Sequence, residues 1–85
     1  MTVTVRYFAA VREQLGGSES IDWSATPARN VGALREWLQT LSPAHAAALD
    51  EAKGLRMARD QTLCAADEPL ADGDEVAFFP PVTGG

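Results

Sequence analysis

The residues with chemistry to offer stand at the end of the chain, Phe79-Pro80-Pro81-Val82-Thr83-Gly84-Gly85. Pro80 and Pro81 fix φ, donate no backbone hydrogen bond and push their predecessors to extended geometry. They end whatever sheet precedes them and aim the following residues away from it. Val82 and Thr83 favour extension, and at Gly84-Gly85 the side chains vanish. Without Cβ atoms such a tail can thread a channel too tight for any side chain. Its carboxylate, with an α-carboxyl pKa of about 3.3–3.7, is ionised at neutral pH. It can attack the α-phosphate of a nucleotide to form an acyl-adenylate. A sulfur donor would convert that to a thiocarboxylate, and an amine would convert it to an amide. A thiocarboxylate is the softer nucleophile and can deliver sulfur to a carbon electrophile. Flexible ends are commonly glycine-rich, so the dipeptide takes its meaning from the domain that carries it.

Other residues with reactive side chains fit structural roles. Cys64, the single cysteine, sits in an apolar stretch, reads as a small core residue and cannot form an internal disulfide. His45 lies in an alanine-rich helical segment with no catalytic partner nearby in sequence, so a surface helix position is expected. Asp72-Gly73-Asp74 is a turn signal that lacks the further spaced ligands calcium requires. Asp67 and Glu68 are adjacent and say little about paired acid–base work. No Cys/His cluster suits zinc, and no metal site is expected. Trp23 and Trp37 are read as core.

The elements that must position the tail follow from periodicity. Thr2 to Phe8 alternates as a strand. Ala9 to Leu15 is helix-prone and is stopped by Gly16-Gly17. Ser20 to Trp23 reads as a second strand pairing back on the first, and Ser24 to Arg29 as loop. Asn30 is a suitable N-cap for the main helix, whose stripe is Val31, Leu34, Trp37, Leu38 and Leu41. Ser42-Pro43 ends it and can cap a further turn, with Ala44 to Leu49 helix-prone and Gly54 closing the segment. Leu55 to Ala58 and Gln61 to Ala65 read as short strands separated near Arg59-Asp60. Glu75 to Phe79 is the last strand. The predicted class is α+β, with a mixed sheet of four or five strands and one main helix packed on one face. Residues 1–79 form the domain and 80–85 an extended tail.

Neighbouring strand residues point to opposite faces. The dipeptides Tyr7-Phe8 and Phe78-Phe79 therefore put aromatic rings on both sides of the sheet. Val3, Val5, Tyr7, Val76 and Phe78 are expected to face the helix. Phe8 and Phe79 share the other face with Thr4, Arg6, Glu75 and Ala77. Leu63 joins them if its strand keeps the matching parity. An aromatic set rimmed by charge has the look of a partner site; the alternatives are loops covering the rings, or isolated exposed apolar residues.

Composition narrows the partners. The chain has 85 residues, a formal charge of −5 and 46 % hydrophobic residues, which suits one globular domain. No stretch is long and apolar enough to span a membrane, and nothing resembles a signal peptide, so cytoplasmic residence is expected. Residues 60–85 carry six acids and no Lys or Arg. That sign opposes nucleic-acid binding. It suits either a protein partner with a basic surface or simple solubility.

The block Leu70-Ala71-Asp72-Gly73-Asp74-Glu75-Val76-Ala77-Phe78-Phe79-Pro80-Pro81-Val82-Thr83-Gly84-Gly85 closely resembles the end of the small, sulfur-carrying subunits of molybdopterin synthase, a ubiquitin-like family of the MoaD/ThiS type. Val5-Arg6-Tyr7-Phe8-Ala9-Ala10-Val11-Arg12-Glu13 and Ala33-Leu34-Arg35-Glu36-Trp37-Leu38 resemble its first strand and helix and its main helix. The likeness is weaker over residues 42–60, where the family has an apolar residue and Asn before Gln-Thr-Leu and this chain has Arg59-Asp60. The resemblance implies a β-grasp fold with no bound cofactor and no active site of its own. A ubiquitin-activating-type adenylyltransferase would spend ATP to adenylate Gly85, and a sulfur donor would make the thiocarboxylate. Pro81, Val82, Thr83, Gly84 and Gly85 would insert into the large synthase subunit and give sulfur to cyclic pyranopterin monophosphate, forming the molybdopterin dithiolene. Two small subunits would flank a large-subunit dimer. Phe8, Leu63 and Phe79 correspond to the family's apolar docking surface. A thiamine-pathway sulfur carrier, a modifier forming isopeptides through Gly85 and a passive β-grasp binding module are the competing readings.

Overall fold

The computed structural model describes residues 1–81, so the expectations for Val82, Thr83, Gly84 and Gly85 fall outside the described residues. The elements are β1 (Thr2–Tyr7), α1 (Ala9–Leu15), β2 (Ser18–Asp22), α2 (Val31–Leu38), α3 (Pro43–Ala48), β3 (Arg56–Arg59), β4 (Thr62–Cys64) and β5 (Glu75–Phe79). Short 3₁₀ turns occupy Trp23–Ala25 and Glu51–Lys53. The five strands form one mixed sheet in the order β2-β1-β5-β3-β4. β1 and β5 run parallel at its centre, and the other pairs are antiparallel.

The alternation read from sequence sets the two faces. Val3, Val5, Tyr7, Val76 and Phe78 are fully buried on the helical side. There they meet Val11 of α1, Val31, Leu34 and Leu38 of α2, and Ala48 and Leu49 at the end of α3. The helical layer is thus shared: α2 is the longest helix, yet α1 packs on α3 beside it. Asn30 caps α2 by accepting the Ala33 N–H at 2.7 Å. The loop carbonyls of Glu68 and Ala66 take the N–H groups of Val31 and Gly32. A Cβ on Gly32 would stand 2.8 Å from that of Ala66, so this close approach requires glycine.

Several boundaries differ from the sequence reading. β2 spans Ser18–Asp22 rather than Ser20–Trp23, because pairing with β1 from Thr2↔Asp22 to Arg6↔Ser18 enrols polar residues that carry no apolar alternation. Trp23 begins a 3₁₀ turn whose cap is Asp22. α2 stops at Leu38, and tighter turns follow, with Thr40 N–H bonding to Trp37 O and Leu41 N–H to Leu38 O. Leu41 therefore leaves the apolar stripe and is exposed. β3 and β4 lie one residue inside or beyond the expected ends, joined by Asp60-Gln61. Trp23, Trp37 and Cys64 are partly buried at the margin of the core.

Candidate functional site

Phe79 ends β5 and Phe8 follows β1, and because these strands are parallel neighbours the two rings meet on the outer face. Their centroids lie 6.5 Å apart at an interplanar angle of 84°, an edge-to-face contact. The Arg6 guanidinium sits 5.9 Å from the Phe8 centroid, and its Nη1 is 3.8 Å from Glu75 Oε1. On the far side Ala58 pairs with both Ala77 and Leu63, which settles the parity of Leu63 in favour of this face. The result is an open groove of about 420 Å³ lined by Phe8, Ala58, Leu63, Ala77 and Phe79, with Arg6, Gln61 and Glu75 at its polar edge. Phe8 is 41 % and Leu63 60 % exposed. The structure therefore brings the three predicted docking residues together, and among the described residues no loop covers them.

The same strand aims the tail. Alternation carries on past β5, so Pro80 lines a separate small groove on the helical side with Ala10, Val11, Gln14, Ala48, Lys53 and Leu55. Pro81 is exposed. The chain leaves the sheet between two apolar surfaces, at the end of β5 remote from the Asp72-Gly73-Asp74 turn. Gly73 there has φ 92°, as a turn requires.

The C-terminal acids are largely engaged within the fold, a use that charge counting does not reveal. Arg59 Nε lies 2.8 Å from Asp74 Oδ2 and Nη1 2.7 Å from Glu68 Oε2, with Asp60 at 4.0 Å. Asp72 faces the Met1 amine at 4.0 Å and Glu75 faces Arg6. Glu68 first, and then Asp74, hold the Arg59 guanidinium further above its already high pKa.

His45 is not the surface residue expected from sequence; its side chain is 16 % exposed. Nδ1 lies 2.7 Å from Ser42 Oγ, and Nε2 lies 2.6 Å from Glu19 Oε2. The Tyr7 hydroxyl donates to that same oxygen at 2.7 Å. A carboxylate only accepts, so Nε2 is the donor there. Burial first, then the Glu19 hydrogen bond and charge, keep the Tyr7 phenol protonated well above its usual range. Tyr7 comes from β1, Glu19 from β2, and Ser42 and His45 from the start of α3, and no spacing signal links the helix pair to the strands. Ser42 Oγ also accepts the His45 N–H at 3.1 Å as the α3 cap, so the set ties α3 to the sheet. Cys64 sits in β4 with its thiol pKa pushed up by burial and by Glu68, the reverse of what a reactive cysteine needs.

Comparison with known proteins adds the lineage. The profile of the ThiS family matches residues 5–85. The chain belongs to the ThiS family. An Escherichia coli K12 relative named molybdopterin synthase sulfur carrier subunit is 47 % identical over 83 residues, covering 98 % of this chain and 99 % of that protein. A Haemophilus influenzae relative of the same name is 40 % identical over 85 residues, covering 98 % and 99 %. Among solved structures, the complex of subunits 1 and 2 of molybdopterin-converting factor from Helicobacter pylori contains a chain with TM-score 0.64 and 31 % identity, both chains fully covered. Small archaeal modifier protein 1 of Haloferax volcanii gives TM-score 0.68 at 27 % identity, covering 95 % of this chain and 98 % of that one. ThiS-family membership accounts for the β-grasp arrangement of sheet and helices. Among the described residues no helix is long and apolar enough to cross a membrane.

Proposed function

We propose that this chain is the sulfur-carrier subunit of molybdopterin synthase, working in the cytoplasm, with Gly85 as its reacting residue. An adenylyltransferase of the ubiquitin-activating type consumes ATP to adenylate the Gly85 carboxylate, and a sulfur donor replaces AMP to leave a thiocarboxylate. The large synthase subunit receives the outer face, with Phe8, Leu63 and Phe79 as anchors. Pro81, Val82, Thr83 and Gly84 form the stem that carries Gly85 to the pterin precursor, cyclic pyranopterin monophosphate. Two small and two large subunits make the complete enzyme. The small subunit holds no cofactor itself.

The observation that carries this reading is the uncovered groove of Phe8, Leu63 and Phe79 beside the strand that continues into the tail. Support for the partner comes from the 47 % identical sulfur carrier subunit and the likeness to a chain of the H. pylori two-subunit complex. Deleting Gly84-Gly85 tests it: molybdopterin formation is lost completely while binding to the large subunit is only partly weakened. Retained synthesis would point instead to a passive binding module. The likeness to small archaeal modifier protein 1 favours, as a second reading, isopeptide formation through Gly85. Intact mass separates the two, since a carrier gains one sulfur for one oxygen, whereas a modifier appears as larger conjugates.

A further inference from the structure

The edge of the docking face is its weakest part by local rules. β4 has three residues and, among the described residues, pairs only with β3. The turn that forms the β3–β4 hairpin has Asp60 at φ 48° and Gln61 at φ 69°. A two-residue turn with both φ positive favours Asn-Gly or Asp-Gly, and a Gln in the left-handed region is strained. β3 is paired along β5, so among the described residues β4 is held to the sheet through β3. Yet Gln61 and Leu63 of this hairpin line the groove.

Arg59 adds side-chain support to this edge. Its Nε bonds to Asp74 in the turn before β5, and its Nη1 bonds to Glu68 in the loop after β4, so one guanidinium brackets the hairpin from both sides. Asp74 is buried, and its Oδ2 also accepts the Ala71 N–H at 2.8 Å, which fixes the acceptor before Arg59 reaches it. Asp60 completes the brace: its N–H bonds to Glu75 O at 2.8 Å, and its Oδ1 accepts the Glu75 N–H at 3.0 Å. Charge-assisted pairs of this geometry are the stronger class of hydrogen bond. We propose that Arg59 is a positioning residue for partner docking, holding Leu63 in register with Phe8 and Phe79 through Asp74 and Glu68. The proposal rests on the outer face being the large-subunit surface.

A double-mutant cycle on the full chain, with affinity for the large subunit as readout, separates positioning from general stability. Arg59→Met is expected to weaken binding about 5–10-fold, on the order of the Leu63 contact it positions. Leu63→Ala is expected to cost about 5-fold in the parent and less than about 2-fold in Arg59→Met, the non-additivity of residues that act together. Phe8→Ala keeps its full effect in both backgrounds. An equal Leu63→Ala loss in both backgrounds overturns the proposal, as does a Phe8→Ala loss that vanishes along with it. Should Arg59→Met not fold, Glu68→Gln removes one half of the bracket and is read in the same cycle. Hydrogen exchange on the free protein distinguishes the two layers of the argument. Faster exchange confined to β4 supports positioning, and unchanged β4 exchange overturns it. Loosened β4 with no affinity loss from Phe8→Ala or Phe79→Ala overturns the docking reading instead.

Discussion

Tyr7 and Phe78 are sealed beneath the helices with no exposed surface, whereas Phe8 and Phe79, their immediate neighbours in sequence, border an open groove. The same two strands build both faces, so backbone pairing and register are identical on either side. What differs is the cover. Tyr7 and Phe78 stack at 6.5 Å within a layer supplied by α1, α2 and α3, while Phe8 and Phe79 have each other and an arginine edge. Burying a large apolar side chain is worth about 1.5–3 kcal/mol. The helical face realises that gain on folding. The outer face leaves part of that gain unrealised in the free chain, and the proposed docking role would draw on it.

Adjacent substitutions should break this symmetry cleanly. Phe78→Ala is expected to destabilise the protein by about 3–5 kcal/mol, a large share of the ~5–15 kcal/mol that holds a small domain together. Denaturant unfolding will register it directly. Phe79→Ala, one residue along, should lower large-subunit affinity about 10–100-fold, as an interface anchor does, while moving the unfolding midpoint little. If Phe79→Ala unfolded the protein as badly as Phe78→Ala, the distinction between the faces would be wrong.

The pH dependence sharpens the same contrast on the buried side. Tyr7 is the only tyrosine, and its folded-state pKa is raised above the ordinary 10.0. Its contribution is fully present below pH 10 and is lost as the pH rises beyond it, because the unfolded phenol ionises while the folded one does not. The slope is about 1.4 kcal/mol per pH unit for one proton. Tyr7→Phe should remove that slope from the alkaline limb of a stability–pH curve; an unchanged limb would mean the phenol is not held as described. The smallest effect concerns the junction between the faces. Ala9, directly after Phe8, has φ 53°, a conformation glycine tolerates better. Ala9→Gly should therefore be stabilising or near neutral, by up to about 1 kcal/mol, in a thermal melt, with Phe8 still directed outward.

Much of the architecture was legible because strand parity is strict. The faces assigned to Val3, Val5, Tyr7, Val76 and Phe78, and to Phe8 and Phe79, follow from a period of two that no loop disturbs. Legibility failed where the decisive partner lies far along the chain. Ser18 and Glu19 join β2 because β1 is there to pair with them. His45 is enclosed because Glu19 reaches across from a strand 26 residues earlier. The acids after residue 59 read as a free negative surface until Arg59, Arg6 and the Met1 amine are seen beside them. Spacing alone puts Leu41 on the helix stripe, but the tightened turn after Leu38 rotates it outward.

The most direct test is reconstitution with the large subunit and pterin precursor, comparing protein thiocarboxylated at Gly85 with the same protein bearing its ordinary carboxylate. One molybdopterin should form for every two thiocarboxylates consumed, since a dithiolene holds two sulfurs, and none with the carboxylate, although both are expected to bind through the groove of Phe8, Leu63 and Phe79. Equal product from both forms, or from a chain blocked after Gly85, would contradict the account.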